Sequence, residues 1–340
     1  MTVKVLIVDD SALVRTVLSR GLSEAPGMEV VGTARDPYEA RDLLVKLRPD
    51  VMTLDVEMPR MDGVTFLSKI MAVLPTPTVV LSSLTTHGSK LALSALEAGA
   101  VDVVEKPAAG VADGLTHMMR ELVSRVRVAA TTKVAKRATA MVEVGPAPAL
   151  DQTTDAVIGL GASTGGVSAL GRILPALPAW TPGVVIVQHM PAGFTRDFAQ
   201  RLNGQCQMRV AEAAHGDRVL RGHVLVAPGG DQHLEVRRVG GEYRVALVAG
   251  PPVSGHRPSV DVFFRSLAHS AGKNATACLL TGMGEDGARG LLELRGAGGR
   301  TYAQDEASSA VWGMPGTAVH LGAADRVLPL EAVPAALVGR

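Results

Sequence analysis

Residues 159–166 read GLGASTGG, a glycine-rich turn with one serine, Ser163, set between an apolar run and an apolar helical stretch. Such a turn cradles a phosphate or holds a nucleophile at a tight elbow. Spacing separates the two. The dinucleotide fingerprint G-x-G-x-x-G starts with Gly159 and Gly161 but meets Thr164 at its third glycine. A P-loop needs lysine after its second glycine; Gly161 and Gly166 have the right gap, but Val167 follows. Gly161-Ala-Ser163-Thr-Gly165 does match G-x-S-x-G, in which small neighbours permit the turn that projects the serine.

A serine hydroxyl attacks only when a base takes its proton and a third group orients the base. Of nine histidines, His189 directly follows the apolar run GVVIVQ and so falls at the same strand ends as Ser163. His256, in the loop PVSGHRPSVD, is its main rival, whereas His215, His233 and His269 read as surface or structural residues. Asp286, in the second glycine-rich turn GMGEDG, is the candidate acid; Asp261 and Asp305 are weaker, at a helix start and in a loop. The expected constellation is Ser163, His189 and Asp286, with the backbone N–H groups of Thr164 and Met283 as candidate oxyanion donors.

A second cluster lies near the N-terminus. Asp9 and Asp10 end one apolar run and Asp55 ends another. Carboxylates about 4 Å apart repel by about 4 kcal/mol per pair at an effective dielectric near 20. Such a group holds a proton or a hard cation, and Mg²⁺ favours carboxylates together with water and phosphate. Ser82 and Lys106 also stand at run ends, so cation, lysine and hydroxyl together could neutralise a phosphoryl group on a carboxylate.

The elements that must position these residues are short, valine-rich and non-alternating: VKVLIV, EVVGTA, VMTLD, TVVLSS and VDVVEK, with helical periodicity between them. Five strands, each followed by a helix, predict a parallel sheet covered on both faces. A second α/β pattern opens at Asp155, with DAVIGLG, GVVIVQH, HVLVAPG and ACLLTGM as strands and HLEVRRVGGEYRVALV as a Gly-Gly hairpin. The expected domains are 1–125, a linker over 126–153 that is rich in Ala, Thr and Val, and 154–340. The expected fold class is α/β throughout: a flavodoxin-like (βα)5 unit, then a doubly wound, mostly parallel unit with an antiparallel hairpin.

The 340 residues suit about two domains at roughly 150 residues each. A net charge of +1 with 47% hydrophobic residues gives no sign of a nucleic-acid or membrane-surface partner. The start, MTVKVLIVDD, has neither the basic opening nor the length of a secretory signal, and no run spans a bilayer. A cytoplasmic protein without membrane insertion is expected, with Cys206 and Cys278 as free buried thiols.

With these residues in view, roughly 1–125 resembles the receiver domain of bacterial two-component response regulators, through VDDSALVR, LDVEMPRMDG, the serine after strand four and the EKP lysine. The resemblance implies that Asp55 accepts phosphate from a histidine kinase. It implies that Asp10 and Asp55, with the Glu57 main-chain carbonyl and help from Asp9, bind Mg²⁺. Lys106 would pair with the phosphoryl group and Ser82 would hydrogen-bond it. Many receivers carry an aromatic residue where this chain has Val103, which argues against a serine–aromatic relay.

From about Asp155 to Leu321 the chain resembles the chemotaxis-specific protein-glutamate methylesterases, through GASTGG, QHMPAGFTRDFAQRLN, APGGDQH, GPPVSGHRPSVDVFF, TGMGEDG and QDEASSAVWGMP. Glu285 stands where some relatives carry Asn. This resemblance implies a chemotaxis hydrolase that removes γ-methyl esters from chemoreceptor glutamates as methanol, deamidates certain receptor glutamines and needs no metal for the hydrolysis. Fusion through a linker suggests a receiver that covers the Ser163 crevice until Asp55 is phosphorylated. The alternative is a receiver fused to a nucleotide-binding module. A DNA-binding output would need a basic helix-turn-helix, which this α/β pattern lacks.

Overall fold

Apolar runs without alternation form strands buried on both faces, and the first unit is built from five of them. In order come β1 (Val3–Val8), α1 (Ala12–Ser23), β2 (Met28–Ala34), α2 (Pro37–Leu47) and β3 (Val51–Asp55). They are followed by α3 (Gly63–Val73), β4 (Thr78–Ser82), α4 (Thr86–Ala98), β5 (Asp102–Glu105) and α5 (Ala112–Thr131). The sheet is parallel with order β2-β1-β3-β4-β5, the flavodoxin-like arrangement. Helix starts follow local chemistry: Ser11 accepts from Val14 N, and Asp36 accepts from Tyr38 N and Glu39 N with Pro37 next in the chain.

The structure, a computed structural model, describes residues 2–59, 61–83, 85–107, 112–132 and 155–339. The chain divides into two units, Met1–Ala138 and Thr139–Arg340. Helix α5 continues through Thr131, so the linker expected from residue 126 has a helical first part. Val126 and Ala129 are buried in the first unit's core, which is what extends the helix. The rest of the expected linker, 133–154, lies outside the described residues.

The second unit runs β6 (Val157–Ala162), α6 (Gly166–Ile173), β7 (Gly183–Gln188), α7 (Phe194–Asn203), β8 (Arg209–Glu212) and β9 (His223–Val226). Then come β10 (Gln232–Val239), β11 (Glu242–Ala249), α8 (Val260–Ser270), β12 (Ala275–Leu279) and α9 (Ala288–Gly296). It ends with β13 (Arg300–Gln304), α10 (Met314–His320), β14 (Arg326–Leu328) and α11 (Val333–Leu337). Seven strands form one parallel sheet, β14-β13-β12-β6-β7-β9-β8.

The Gly-Gly hairpin β10–β11 pairs antiparallel as expected, but as a separate two-stranded sheet. It leans on α8, where Val236 N donates to Ser266 Oγ at 2.8 Å. Leu234, Val236 and Val245 share one core with Phe263, Phe264 and Leu267 of α8 and with Val157, Ala277 and Leu279 of the main sheet. Each such buried Val, Leu or Phe side chain stabilises the fold by about 1.5–3 kcal/mol. Cys206 and Cys278 are free; Cys278 is buried and Cys206 only partly so, and burial pushes the Cys206 thiol up to about 11. Among the described residues no helix is long and apolar enough to cross a membrane.

Candidate active site and phosphorylation site

Strand β6 lies between β7, which follows it in the chain, and β12, which returns on its other side. This is the switch point at which an open α/β sheet leaves a crevice beyond its strand ends. Ser163 directly follows β6, and Gly165, with φ +79°, lets the chain turn there into α6. The turn is held by main chain: Ser163 N donates to Thr281 O at 3.0 Å, and Gly166 N to Ser163 O at 2.8 Å. Gln188 Nε2 donates to both Ser163 O (2.9 Å) and His189 O (3.0 Å), tying the ends of β6 and β7 together.

His189 is buried at the end of β7, and its N–H donates to Ala162 O at 3.0 Å, one residue before Ser163. Its Nε2 lies 2.8 Å from Asp286 Oδ2. Because the carboxylate accepts, Nε2 carries the proton and Nδ1 keeps the lone pair. Buried Nδ1 has no hydrogen-bond partner among the described residues. A buried ring nitrogen with a free lone pair is available to act as a base.

Asp286 is held by the start of α8. Ser259 Oγ (2.7 Å) and Asp261 N (3.1 Å) donate to its Oδ1, and Val260 N (2.8 Å) donates to Oδ2. Burial would raise its carboxyl, but the His189 ring, the Ser259 hydroxyl and the Val260 amide outweigh burial and hold it below the usual carboxylate range.

The weaker acids have other tasks. Asp261 Oδ1 accepts from Gly290 N at 2.7 Å, and Asp305 Oδ1 accepts from the Ser308 amide and hydroxyl. His215 and His269 are exposed, whereas His233 is buried. His256 lies against the site, its ring stacked on that of His189 with centroids 3.7 Å apart and planes 12° from parallel.

Of the two candidate oxyanion donors, Thr164 is buried in the turn itself, and its carbonyl accepts from Thr281 Oγ1 at 2.9 Å. Met283 follows Gly282, which packs directly on the serine. A Cβ on Gly282 would lie 2.8 Å from Ser163 Cβ and 2.3 Å from Met314 Sδ. Gly282→Ala is therefore expected to destabilise this unit by about 1–3 kcal/mol, read by thermal unfolding, and to cut hydrolysis by displacing Ser163. An unchanged midpoint with unchanged activity would show that the elbow tolerates the methyl group.

In the first unit, Asp9 and Asp10 follow β1 and Asp55 ends β3, with one oxygen of each within 4.8 Å of the others. Asp9 and Asp55 are buried and Asp10 is exposed. Lys106 Nζ, just beyond β5, bridges Asp9 Oδ2 at 2.8 Å and Asp55 Oδ2 at 2.6 Å. Burial raises the Asp55 carboxyl and the Lys106 charge only partly offsets this, while Asp55 and Asp9 together raise Lys106 against its own burial. Glu57 N donates to Asp55 Oδ1, and Ser82 is buried at the end of β4. Three oxygen donors around one point fit a hard divalent cation. Val103 is buried within β5.

Residues 158–337 match the model of the CheB methylesterase family, and residues 5–140 match the response regulator receiver domain. The chain belongs to the CheB methylesterase family. A protein named protein-glutamate methylesterase/protein-glutamine glutaminase 2 from Cereibacter sphaeroides is 55% identical over 98% of this chain and 91% of its own length. A similarly named protein from Syntrophotalea carbinolica is 53% identical over 99% of this chain and 97% of its own. The crystal structure of the Thermotoga maritima CheB methylesterase catalytic domain aligns with a TM-score of 0.53 at 36% identity, covering 55% of this chain and 98% of that domain. Relationship to CheB methylesterases does not favour the nucleotide-binding alternative.

Two features of this candidate site do not stand out in the residue pattern. By sequence Gln188 is only the last residue of a strand, yet its side chain joins the two strand ends. By sequence the start of α8 is an ordinary helix start, yet its hydroxyl and amides hold Asp286. The signal for the second was present: Ser259, three residues before Val262, is an N-cap serine, and an N-terminus attracts a carboxylate.

Proposed function

We propose that Ser163, His189 and Asp286 are the catalytic triad with which this CheB methylesterase hydrolyses glutamate γ-methyl esters on chemoreceptors. The observation that carries this reading is the His189 ring at the strand end next to the elbow, with Nε2 engaged by Asp286 and a buried Nδ1 that has no hydrogen-bond partner among the described residues. Ser163 Oγ attacks the ester carbonyl while His189 Nδ1 takes its proton. The resulting oxyanion is met by the N–H groups of Thr164 and Met283. The imidazolium returns the proton to the departing methoxy group, and methanol leaves. Water, deprotonated by the same imidazole, releases glutamate from the acyl-enzyme. On a receptor glutamine the same steps release ammonia, which is the glutaminase activity.

The receiver regulates this chemistry in response to a histidine kinase. Asp55 is the phosphoacceptor, and Lys106 and Ser82 receive the phosphoryl oxygens. Asp9, Asp10 and Asp55, with the Glu57 carbonyl, would hold Mg²⁺, which when bound would supply positive charge against the phosphoryl group. The unphosphorylated receiver obstructs the Ser163 crevice, and phosphorylation removes the obstruction. The site of action is the cytoplasm, on methylated receptors; no nucleic acid takes part.

The test is methanol release from methylated receptor with and without a small phosphodonor and Mg²⁺. The rate should rise with the phosphodonor, and Asp55→Asn should abolish the rise while leaving the basal rate. Deleting residues 1–150 should raise the basal rate; an unchanged or lower rate would sink the obstruction idea.

A further inference from the structure

The stacked histidine pair and the loop that carries it point to a further participant in the reaction. His189 is fixed at Nε2 by Asp286, but its ring still turns about the Cβ–Cγ bond, a torsion with a broad preference in histidine. Nε2 lies closer to that axis than Nδ1, so the Asp286 bond constrains the swing of Nδ1 poorly. Nδ1 itself has no hydrogen-bond partner among the described residues that could hold it. The face of the ring is covered by His256, whose ring lies 3.7 Å away and within 12° of parallel.

A ring can hold its neighbour only if it is held itself, and the segment 250–259 is anchored along its length. Val253 and His256 exchange two main-chain hydrogen bonds, Val253 N to His256 O at 3.1 Å and His256 N to Val253 O at 2.9 Å. The two residues between them, Ser254 (φ +51°) and Gly255 (φ +80°), both have the positive φ of a tight type I′ turn. Arg257 Nη1 donates to Gly250 O at 2.9 Å. Buried His233 closes the base: its Nδ1 accepts from Ser259 N at 3.1 Å, so its Nε2 donates to Pro251 O at 2.9 Å. The same segment continues into Ser259, Val260 and Asp261, which hold Asp286.

We propose that His256 is a positioning residue that stacks on His189 and keeps its Nδ1 aimed at Ser163. This rests on the triad reading above. One run of chain thereby holds the base twice, by its ring face through His256 and at Nε2 through Asp286. A flat ring is the property required, not a titrating one.

The test compares His256→Ala, His256→Phe, His189→Ala and Ser163→Ala in the full-length protein, by steady-state methanol release and thermal unfolding. His256→Ala should lower kcat by about 10- to 100-fold, the scale of a misaimed catalytic group. KM should change less than about twofold, since uniform binding is untouched. His256→Phe should restore kcat to within about threefold of wild type, because stacking needs only a planar ring. Wild-type kcat in His256→Ala would overturn the proposal and leave the triad intact. If His256→Ala and His256→Phe, both folded, are as inactive as His189→Ala, His256 itself moves protons and the positioning role is wrong. Retained activity in His189→Ala or Ser163→Ala would instead overturn the triad.

Discussion

Ser163→Ala is expected to lower methanol release by about 10⁶-fold, the scale seen when a triad nucleophile is removed. The variant should still fold, because the elbow does not depend on the hydroxyl. Ser163 N is bonded to Thr281 O, and Ser163 O receives Gly166 N and Gln188 Nε2. Its Cβ, against which Gly282 packs, is retained in alanine. An unchanged melting midpoint with abolished hydrolysis is thus the expected pair of results. Turnover within about a hundredfold of wild type would reject Ser163 as the nucleophile, since oxyanion stabilisation and binding alone leave far less than that.

Asp286→Asn should be nearly as severe, with a loss of about 10⁴-fold in kcat. Both oxygens of Asp286 accept: Oδ1 from Ser259 Oγ and Asp261 N, Oδ2 from Val260 N and His189 Nε2. An amide replaces one acceptor with a donor, so it opposes donors whichever way it is turned. Placed toward His189, it would favour the tautomer with the proton on Nδ1, the atom that must receive the serine proton. Donors left unmatched at a buried site cost about 1–3 kcal/mol, so the melting midpoint should fall as well.

The pH dependence carries a sign. The folded Asp286 carboxyl is held below its unfolded value of about 3.9. Its stabilising contribution is therefore complete above that pH and is lost as pH falls through the folded value. Asp286 therefore stays ionised above its unfolded value and should add no ionisation of its own to the acid limb of wild-type kcat there. A second ionisation in that limb, absent from Asp286→Asn, would contradict the assignment of Asp286 as a permanent anion.

The strand-end residues were the legible part of both sites. Asp9, Asp55, Ser82, Lys106, Ser163 and His189 each follow a valine-rich run, and in a parallel sheet such positions gather at one edge. Asp286 was legible through its glycine-rich turn after β12. Less visible was what a period of two or 3.6 does not encode. Strands β8 and β14 are edge strands with exposed residues, and β13 opens with an exposed arginine, so none reads as a buried valine run. His233 sits among polar neighbours in the chain yet is buried, because segment 250–259 folds back over it. By sequence His256 is a rival base, and its stacking on His189 depends on a tertiary approach that spacing does not record.

The position of β12 has a consequence for the growing chain. The bond from His189 to Asp286 joins residues 97 apart in sequence, and Thr281, whose carbonyl receives the Ser163 amide, also follows β12. A nascent polypeptide that has emerged only as far as β11 carries serine and histidine, but neither the acid nor the carbonyl that fixes the elbow. With the proposed triad, hydrolytic competence arrives only once β12 stands beside β6, a non-local pairing of the slower kind. Incomplete translation products are thereby esterases in composition only, and recovery of methanol release on refolding times the closure of the sheet.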